Sequence, residues 1–154
     1  MLYTIGMIIR KASAHDANKI HLFGLTIPEI NVSSSGDFMS LSELMTVLSS
    51  KNTVAYVADN EDEYISGFCL ARLDDPDRRF DGQACLVYIA VSEVFRGCGI
   101  AKSLFDKTID ELKGLGCKYI YTWACPTSGA VRFFEKQGLI AGRTCVWMDS
   151  GEIC

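Results

Sequence analysis

The stretch of residues 86–115 constrains the fold more than any other part of this sequence. It begins with an apolar run at residues 86–91, whose β-branched and aromatic side chains predict a buried strand. A short turn at residues 92–95 leads into Arg96-Gly97-Cys98-Gly99, and an amphipathic helix follows over residues 98–115. Apolar positions recur along it at three- and four-residue steps, which places on one face Ala101, Leu104, Phe105, Thr108, Leu112 and Leu115.

A glycine-rich turn between a strand and a helix N-terminus predicts an anion-binding site. The first N–H groups of the helix have no partner within it, and the helix dipole favours negative charge. Gly97 and Gly99 lack a Cβ, so a phosphate can approach the backbone closely. The turn is not a P-loop, because no Gly-Lys-Ser/Thr follows, and Lys102 breaks the dinucleotide-binding fingerprint. A tight turn that binds no ligand stays the alternative.

Length and composition favour one globular domain over residues 1–154. Of the 154 residues, 49% are hydrophobic, which suffices for a full core. No apolar run approaches the ~20 residues of a membrane helix, and the N-terminus resembles a strand more than a signal peptide. We therefore expect an intracellular, cytoplasmic protein without a membrane partner. The net charge of −4 disfavours a nucleic-acid surface and suits a cationic or neutral small substrate.

The cysteines and histidines do not indicate a metal site. The seven cysteines are odd in number and form no C-x-x-C pair, so we interpret them as reduced thiols that pack as small hydrophobic residues. The two histidines, His15 and His21, lack ligand spacing. We expect neither a disulfide framework nor a metal.

The order of predicted elements is β-α-α-β-β-β-α-β-α-β. This order predicts an α/β (α+β) fold in which helices flank a central mixed sheet. Ser13 with Asp16 predicts the start of the first helix, and Ser40 or Ser42 caps the second. Gly67, inside a predicted strand, indicates a bulge or a close backbone approach. The predicted strands cover residues 3–12, 54–58, 64–73, 86–91, 119–124 and 145–148, and the last helix covers residues 128–137.

The sequence Arg96-Gly-x-Gly-x-Ala101 after an apolar strand resembles the acyl-CoA pyrophosphate motif of the GNAT superfamily of N-acetyltransferases. Two further segments resemble this family in the same order. Residues 9–12 with Asp16 are similar to its usual opening, and Ala130-x-x-x-Phe134-x-x-x-Gly138-Leu139 is similar to its second motif. The resemblance covers nearly the whole chain and implies the GNAT fold.

The resemblance also implies a binding mode for acetyl-CoA as co-substrate. The pyrophosphate would bind the backbone amides of residues 96–101, with added charge from Arg96, and the pantetheine arm would pair with the main chain of residues 89–91. The predicted strand 119–124 must then diverge from this strand, and Pro126 lies where the gap should widen. The implied cofactor-binding residues are Ile89, Ala90, Val91, Arg96, Gly97, Cys98, Gly99, Ile100, Ala101, Thr127, Ser128 and Phe134.

The residues for proton transfer depart from the family pattern. Phe134 stands where the family often has a tyrosine acid, and Cys85 stands where some members have a glutamate base. The amide of Val91 is the oxyanion donor that the resemblance implies. A thiolate leaves fairly readily near neutral pH, so a dedicated acid is not essential. The candidates for a substitute are Cys125, Ser128, Tyr88 and Tyr121, each of which also has a purely structural explanation.

We expect an N-acetyltransferase that acetylates a primary amine of a small molecule or peptide by direct attack in a ternary complex. Two alternatives stay open: a non-catalytic acyl-CoA sensor on the same fold, and modification of a macromolecule such as a protein N-terminus or a charged tRNA. Substrate choice should depend on the loops at residues 24–40 and 74–83. A homodimer is compatible with the sequence.

Overall fold

The computed structural model describes residues 6–31, 38–60, 64–73, 82–126 and 129–142. In this part of the chain a five-stranded mixed sheet is flanked by helices. The strands are β1 (Ile8–Lys11), β2 (Thr53–Asp59), β3 (Gly67–Leu73), β4 (Gln83–Val91) and β5 (Tyr119–Thr122). The α-helices are α1 (Ala17–Leu25), α2 (Leu41–Ser49), α3 (Ile100–Gly114) and α4 (Ala130–Lys136), and single 3-10 turns lie at Ala14–Asp16, Pro28–Ile30 and Glu93–Phe95.

This order confirms the predicted fold class and the predicted sequence of elements as far as α4. The strands follow one another across the sheet in chain order, and neighbours are antiparallel except for the parallel pair β4 and β5. The connection between β4 and β5 runs through α3, as a parallel pair requires. The predicted strand at residues 145–148 and the loops at residues 32–37 and 74–81 lie outside the described residues.

Alternating side chains of the central strands build a core on each face of the sheet. On one face Phe68 and Leu70 of β3 pack with residues of α1 and α2, including Ile20 and Leu44. On the other face Cys69 of β3 and Leu86 of β4 pack with Leu104 and Phe105 of α3. Period-two alternation along a strand that is covered on both sides explains why β3 is apolar at successive positions.

Helix starts follow the predicted capping residues. The Ser40 hydroxyl accepts a hydrogen bond from the Glu43 N–H at 3.3 Å, and Glu43 Oε2 accepts one from the Ser40 N–H at 2.8 Å. Ser40, not Ser42, is therefore the cap of α2. At the first helix Asp16 Oδ2 accepts from the Ser13 N–H at 2.9 Å, but Ser13 precedes a 3-10 turn and α1 begins only at Ala17.

Two burial predictions need correction, and the structure decides between the two alternatives predicted for Gly67. Leu115 is 53% exposed because α3 ends at Gly114, one residue before it. Among the five cysteines in the described residues, only Cys69 is buried, whereas Cys98 and Cys125 are exposed. Gly67 marks a close approach and not a bulge, since a Cβ there would lie 2.7 Å from the Ala90 carbonyl oxygen.

Candidate functional site

The turn between β4 and α3 presents glycine backbone to open space. Gly97 and Gly99 have φ angles of +79° and +82°, in the left-handed region that favours glycine. A Cβ built on either residue would meet no other heavy atom within 4 Å. Glycine is therefore favoured at both positions by the backbone conformation and not by internal packing. The absence of side chains also leaves the backbone of the turn accessible to a ligand.

The amide groups of this turn divide into two sets. The first α-helical bond of α3 joins the Ser103 N–H to the Gly99 carbonyl at 3.0 Å, so the amides of residues 100–102 have no acceptor within the helix. The amides of Arg96 and Cys98 instead donate to carbonyls of the preceding 3-10 turn, at 3.2 and 3.4 Å. The helix end therefore offers an anion the amides of residues 100–102, but the predicted set 96–101 includes two that already have partners.

The edge of β4 that faces β5 is paired over only part of its length. The parallel ladder runs from Gln83 opposite Tyr119 to Leu86 opposite Thr122, and β5 ends there. The Thr122 hydroxyl donates to the Leu86 carbonyl at 2.8 Å, which completes the last rung. In the described residues, β4 continues to Val91 with a partner only on its β3 side. This is the divergence of strands that the sequence resemblance requires.

A β-bulge in β4 lies at the point where the two strands part. Tyr88 pairs with Leu70 of β3, but the next β3 residue, Ala71, pairs with Leu86, so Val87 is an extra residue in β4. A bulge bends its strand and increases the local twist. The bulge therefore gives a physical reason why β4 leaves β5 directly after Leu86.

The backbone groups on the unpaired edge can be identified from the β3 ladder. The Ser92 N–H donates to the Ser66 carbonyl at 2.8 Å, so Ser92 faces β3. Because hydrogen-bonding direction alternates along an antiparallel strand, Ala90 also faces β3, whereas the N–H and C=O groups of Ile89 and Val91 face the open edge. Of the predicted residues 89–91, Ile89 therefore offers both main-chain groups to a ligand at this edge. Val91 offers its N–H, since its carbonyl accepts a hydrogen bond from Arg96.

Arg96 links the end of β4 to the loop after α1. Its Nε donates to the Val91 carbonyl at 3.2 Å, and its Nη1 donates to Glu29 Oε1, also at 3.2 Å. Both side chains of this ion pair are nearly half exposed. The guanidinium therefore lies beside both the open strand edge and the glycine turn, where it can reach an anionic ligand.

The predicted proton-transfer candidates lie in different environments. Tyr88 is half-buried against Phe38, with ring centroids 5.1 Å apart, and burial raises the pKa of its phenol. Its hydroxyl is therefore protonated at neutral pH and able to donate. Tyr121 is half-buried on β5, and Cys125 is exposed just beyond that strand. Ser128 lies outside the described residues, as does Thr127.

Phe134 contributes to the core between α3 and α4. Its side chain is 5% exposed, and its ring centroid lies 6.4 Å from that of Phe105 and 5.3 Å from that of Phe133. Its ring therefore packs against α3. Its contact with a cofactor stays a prediction. In the described residues no group of three or more His, Cys, Asp or Glu side chains is arranged to hold a metal ion.

A cavity of about 230 Å³ lies at the far end of α3, away from the glycine turn. Its lining includes Lys11, Lys51 and Glu111. Glu111 is eleven residues beyond Ile100, which corresponds to roughly 16 Å along a helix. The cavity is therefore separate from the open strand edge and from every predicted site residue.

Two features of the site had no signal in the sequence. The bulge at Val87 falls within a continuously apolar strand, where no break in alternation can reveal an extra residue. The ion pair of Glu29 with Arg96 joins residues 67 positions apart, and an exposed glutamate in a polar loop has no pattern that predicts its partner. Both features depend on contacts between distant parts of the chain, which only the tertiary structure reveals.

Comparison with protein families gives an independent result for this chain. The family model for the acetyltransferase (GNAT) family matches residues 29–139, which include β4, the glycine turn, α3 and α4. No curated protein matches the sequence.

Comparison with solved structures finds the same fold at low sequence identity. A mutant of the BH1408 protein from Bacillus halodurans superposes with a TM-score of 0.77 at 19% identity, over 93% of this chain and 99% of that one. The aminoglycoside acetyltransferase meta-AAC0020 from an uncultured soil metagenomic sample gives 0.76 at 18% identity, over 99% and 100%. The enzyme AAC(6')-Iy in complex with the bisubstrate analogue CoA-S-monomethyl-acetylneamine gives 0.69 at 19% identity, over 96% and 99%.

Proposed function

Because the chain belongs to the GNAT family of acetyltransferases, we propose that it transfers an acetyl group from acetyl-CoA to a primary amine of a small molecule or peptide. The reaction proceeds by direct attack within a ternary complex. The observation that carries this proposal is the unpaired edge of β4 leading into the open amides at the start of α3. A long ligand with amide groups at one end and a pyrophosphate at the other is complementary to that arrangement.

In the proposed binding mode, the pantetheine arm pairs with the outward N–H and C=O groups of Ile89, as an additional strand would. The pyrophosphate binds the amides of residues 100–102 and the Arg96 guanidinium. Gly97 and Gly99 allow the phosphate oxygens to approach the backbone. Complexes of AAC(6')-Iy with CoA and with a CoA-based bisubstrate analogue support the same ligand for this fold.

The proposed chemistry needs few side chains. The neutral amine nitrogen attacks the thioester carbonyl carbon, a C–N bond forms and the C–S bond breaks. The nitrogen gives up a proton to water or a nearby base, and the CoA thiolate leaves and takes up a proton. The Val91 N–H, on the open edge, is the proposed donor to the oxyanion. Tyr88, Tyr121, Cys125 and Ser128 stay the candidates for a proton donor to the thiolate.

The acceptor class follows from charge and from the comparisons. The net charge of −4 favours a cationic amine over an anionic one. The neighbours meta-AAC0020 and AAC(6')-Iy are aminoglycoside acetyltransferases, which supports a small molecule with several amino groups. We therefore rank small polyamines and aminosugars above peptides as acceptors.

The direct test combines binding with turnover. Calorimetry with acetyl-CoA should show saturable binding by the wild type. Release of free thiol should then be measured with a panel containing an aminoglycoside, a polyamine, a lysine peptide and a simple monoamine. Absence of acetyl-CoA binding would overturn the proposal as a whole.

A non-catalytic acyl-CoA sensor is the second candidate, because Phe134 cannot donate a proton and Cys85 replaces the expected base. Binding of acetyl-CoA without thiol release on any amine in the panel would favour this function. Thiol release on even one amine would exclude it.

A further inference from the structure

Glu29 accepts a hydrogen bond from the Arg96 guanidinium, the same group that binds the pyrophosphate in the proposed binding mode. Glu29 lies in the 3-10 turn Pro28–Ile30, and its neighbours hold that turn in place. Ile27 is 6% exposed, and Ile30 packs against the core below α1 and α2. The turn is therefore anchored, while the Glu29 carboxylate stays 46% exposed beside the open strand edge.

This ion pair is weak enough to be exchanged. Exposed ion pairs contribute little to stability, and Arg96 contacts a single oxygen of Glu29. A pyrophosphate carries more charge than a carboxylate and accepts paired hydrogen bonds from a guanidinium. A bound pyrophosphate at the turn would therefore compete successfully for Arg96.

A carboxylate released at this position suits a non-reacting ammonium group. The nitrogen that attacks the thioester must be neutral, and a nearby carboxylate would favour its protonated form. Glu29 is therefore poorly suited to hold the reacting amine. It is well suited to hold a second amino group of the same acceptor that stays protonated during the reaction.

We propose that Arg96 and Glu29 form an exchangeable ion pair, in which the pyrophosphate of acetyl-CoA takes over Arg96 and the released Glu29 carboxylate binds a second ammonium group of the acceptor. Acetyl-CoA then binds before the amine, and the preferred acceptors carry two or more cationic groups. This inference rests on the proposed function and deepens it, because it assigns Glu29 as a specificity-determining residue.

The first test measures acetyl-CoA affinity by calorimetry at physiological salt. Glu29→Gln removes the competitor for Arg96, so the Kd for acetyl-CoA should fall roughly two- to fivefold. Glu93→Gln is the matched control, since it also removes one negative charge close to the glycine turn. Among the described contacts, the Arg96 guanidinium touches Glu29 and Val91 but not the Glu93 carboxylate. The control should change Kd by no more than about 1.5-fold.

A double-mutant cycle sharpens this test. In an Arg96→Ala background the Glu29→Gln substitution should no longer tighten acetyl-CoA binding, because the pair is already absent. Equal gains from Glu29→Gln and Glu93→Gln, or a gain that persists without Arg96, would mean that only long-range charge matters. Either result would overturn the exchange.

The second test measures amine binding with spermidine and sisomicin as probes, with and without saturating CoA. The wild type and Glu93→Gln should bind at least one probe more tightly when CoA is present, and Glu29→Gln should lose most of that gain. Binding of neither probe, or an undiminished gain in Glu29→Gln, would overturn the assignment of Glu29. The proposed function fails separately, if the wild type does not bind acetyl-CoA.

Discussion

Replacement of Gly99 by alanine separates the stability role of a glycine from its role in ligand binding. Gly99 and Gly116 have nearly the same left-handed conformation, with φ angles of +82° and +86°. A Cβ on either residue would meet no heavy atom within 4 Å. Gly116 lies two residues beyond the end of α3, whereas Gly99 precedes its first turn. The two alanine variants therefore add the same methyl group to matched backbones at opposite ends of one helix.

The expected loss of stability is the same for both variants. A left-handed conformation costs an alanine about 1 kcal/mol more than a glycine, and neither site adds a steric clash. In a chain of this length that corresponds to a decrease in melting temperature of roughly 2–4 °C. Urea denaturation followed by circular dichroism would measure the free energy of unfolding of each variant against the wild type.

The expected loss of acetyl-CoA affinity differs between them. At Gly99 the added methyl group would fill part of the open space through which, in the proposed binding mode, a phosphate approaches the amides of residues 100–102. Loss of one charged hydrogen bond, worth about 1.5–3 kcal/mol, raises the Kd roughly ten- to a hundredfold. Gly116→Ala should leave the Kd unchanged. Wild-type affinity in Gly99→Ala, or an equal loss in Gly116→Ala, would refute the assignment of the turn as the phosphate site.

Three further substitutions test packing and ionisation within the fold. Gly67→Ala places a Cβ 2.7 Å from the Ala90 carbonyl oxygen and should lower the free energy of unfolding by about 1–3 kcal/mol in urea; unchanged stability would show that β3 and β4 can move apart. Burial opposes ionisation of Asp16, but hydrogen bonds from Arg10 outweigh it and hold its pKa below the ordinary value. The stabilisation is therefore present at neutral pH and is lost as the pH falls below about 4. At pH 7 Asp16→Asn should lower the free energy of unfolding by about 1–2 kcal/mol, a value reduced because Arg10 is partly exposed. The stability of this variant should also decrease less steeply at acidic pH than that of the wild type, and an unchanged acidic decrease would count against the pair. Burial, and to a lesser extent a hydrogen bond to Glu111 of α3, raises the pKa of Tyr56 to about 12. In an ultraviolet titration of the tyrosines, Tyr56→Phe should therefore remove the phenol that ionises at the highest pH. Loss of a phenol that ionises at lower pH would contradict this.

The order of elements could be predicted because each element carries its own local pattern. Ser40 with Glu43 marks the start of α2, and the three- and four-residue spacing along residues 100–112 marks α3. Ends were predicted less well, since they depend on neighbouring elements. Leu115 continues the apolar spacing of α3, yet the helix ends before it and the side chain is exposed.

The site was predicted in part, for the same physical reason. Gly97 and Gly99 predict an open glycine turn at a helix start, because backbone freedom is a local property. That the turn binds an anion stays a prediction. The sequence could not distinguish which amides of residues 96–101 stay available, because that depends on the 3-10 turn before Arg96. Nor could it distinguish Ala90 from its neighbours, since the pairing register with β3 determines which main-chain groups face the open edge.

Local sequence patterns are sufficient for the fold class, the family resemblance and the location of the glycine turn, because periodicity, capping and glycine placement act over a few residues. The tertiary structure alone decided where β4 leaves β5 and which carboxylate pairs with Arg96. Both depend on groups that are distant in the chain: the bulge at Val87 is defined only against β3, and Glu29 reaches Arg96 only because Ile27 and Ile30 anchor its turn to the core. Local patterns carry no information about such contacts, since their geometry exists only after the sheet and helices have packed.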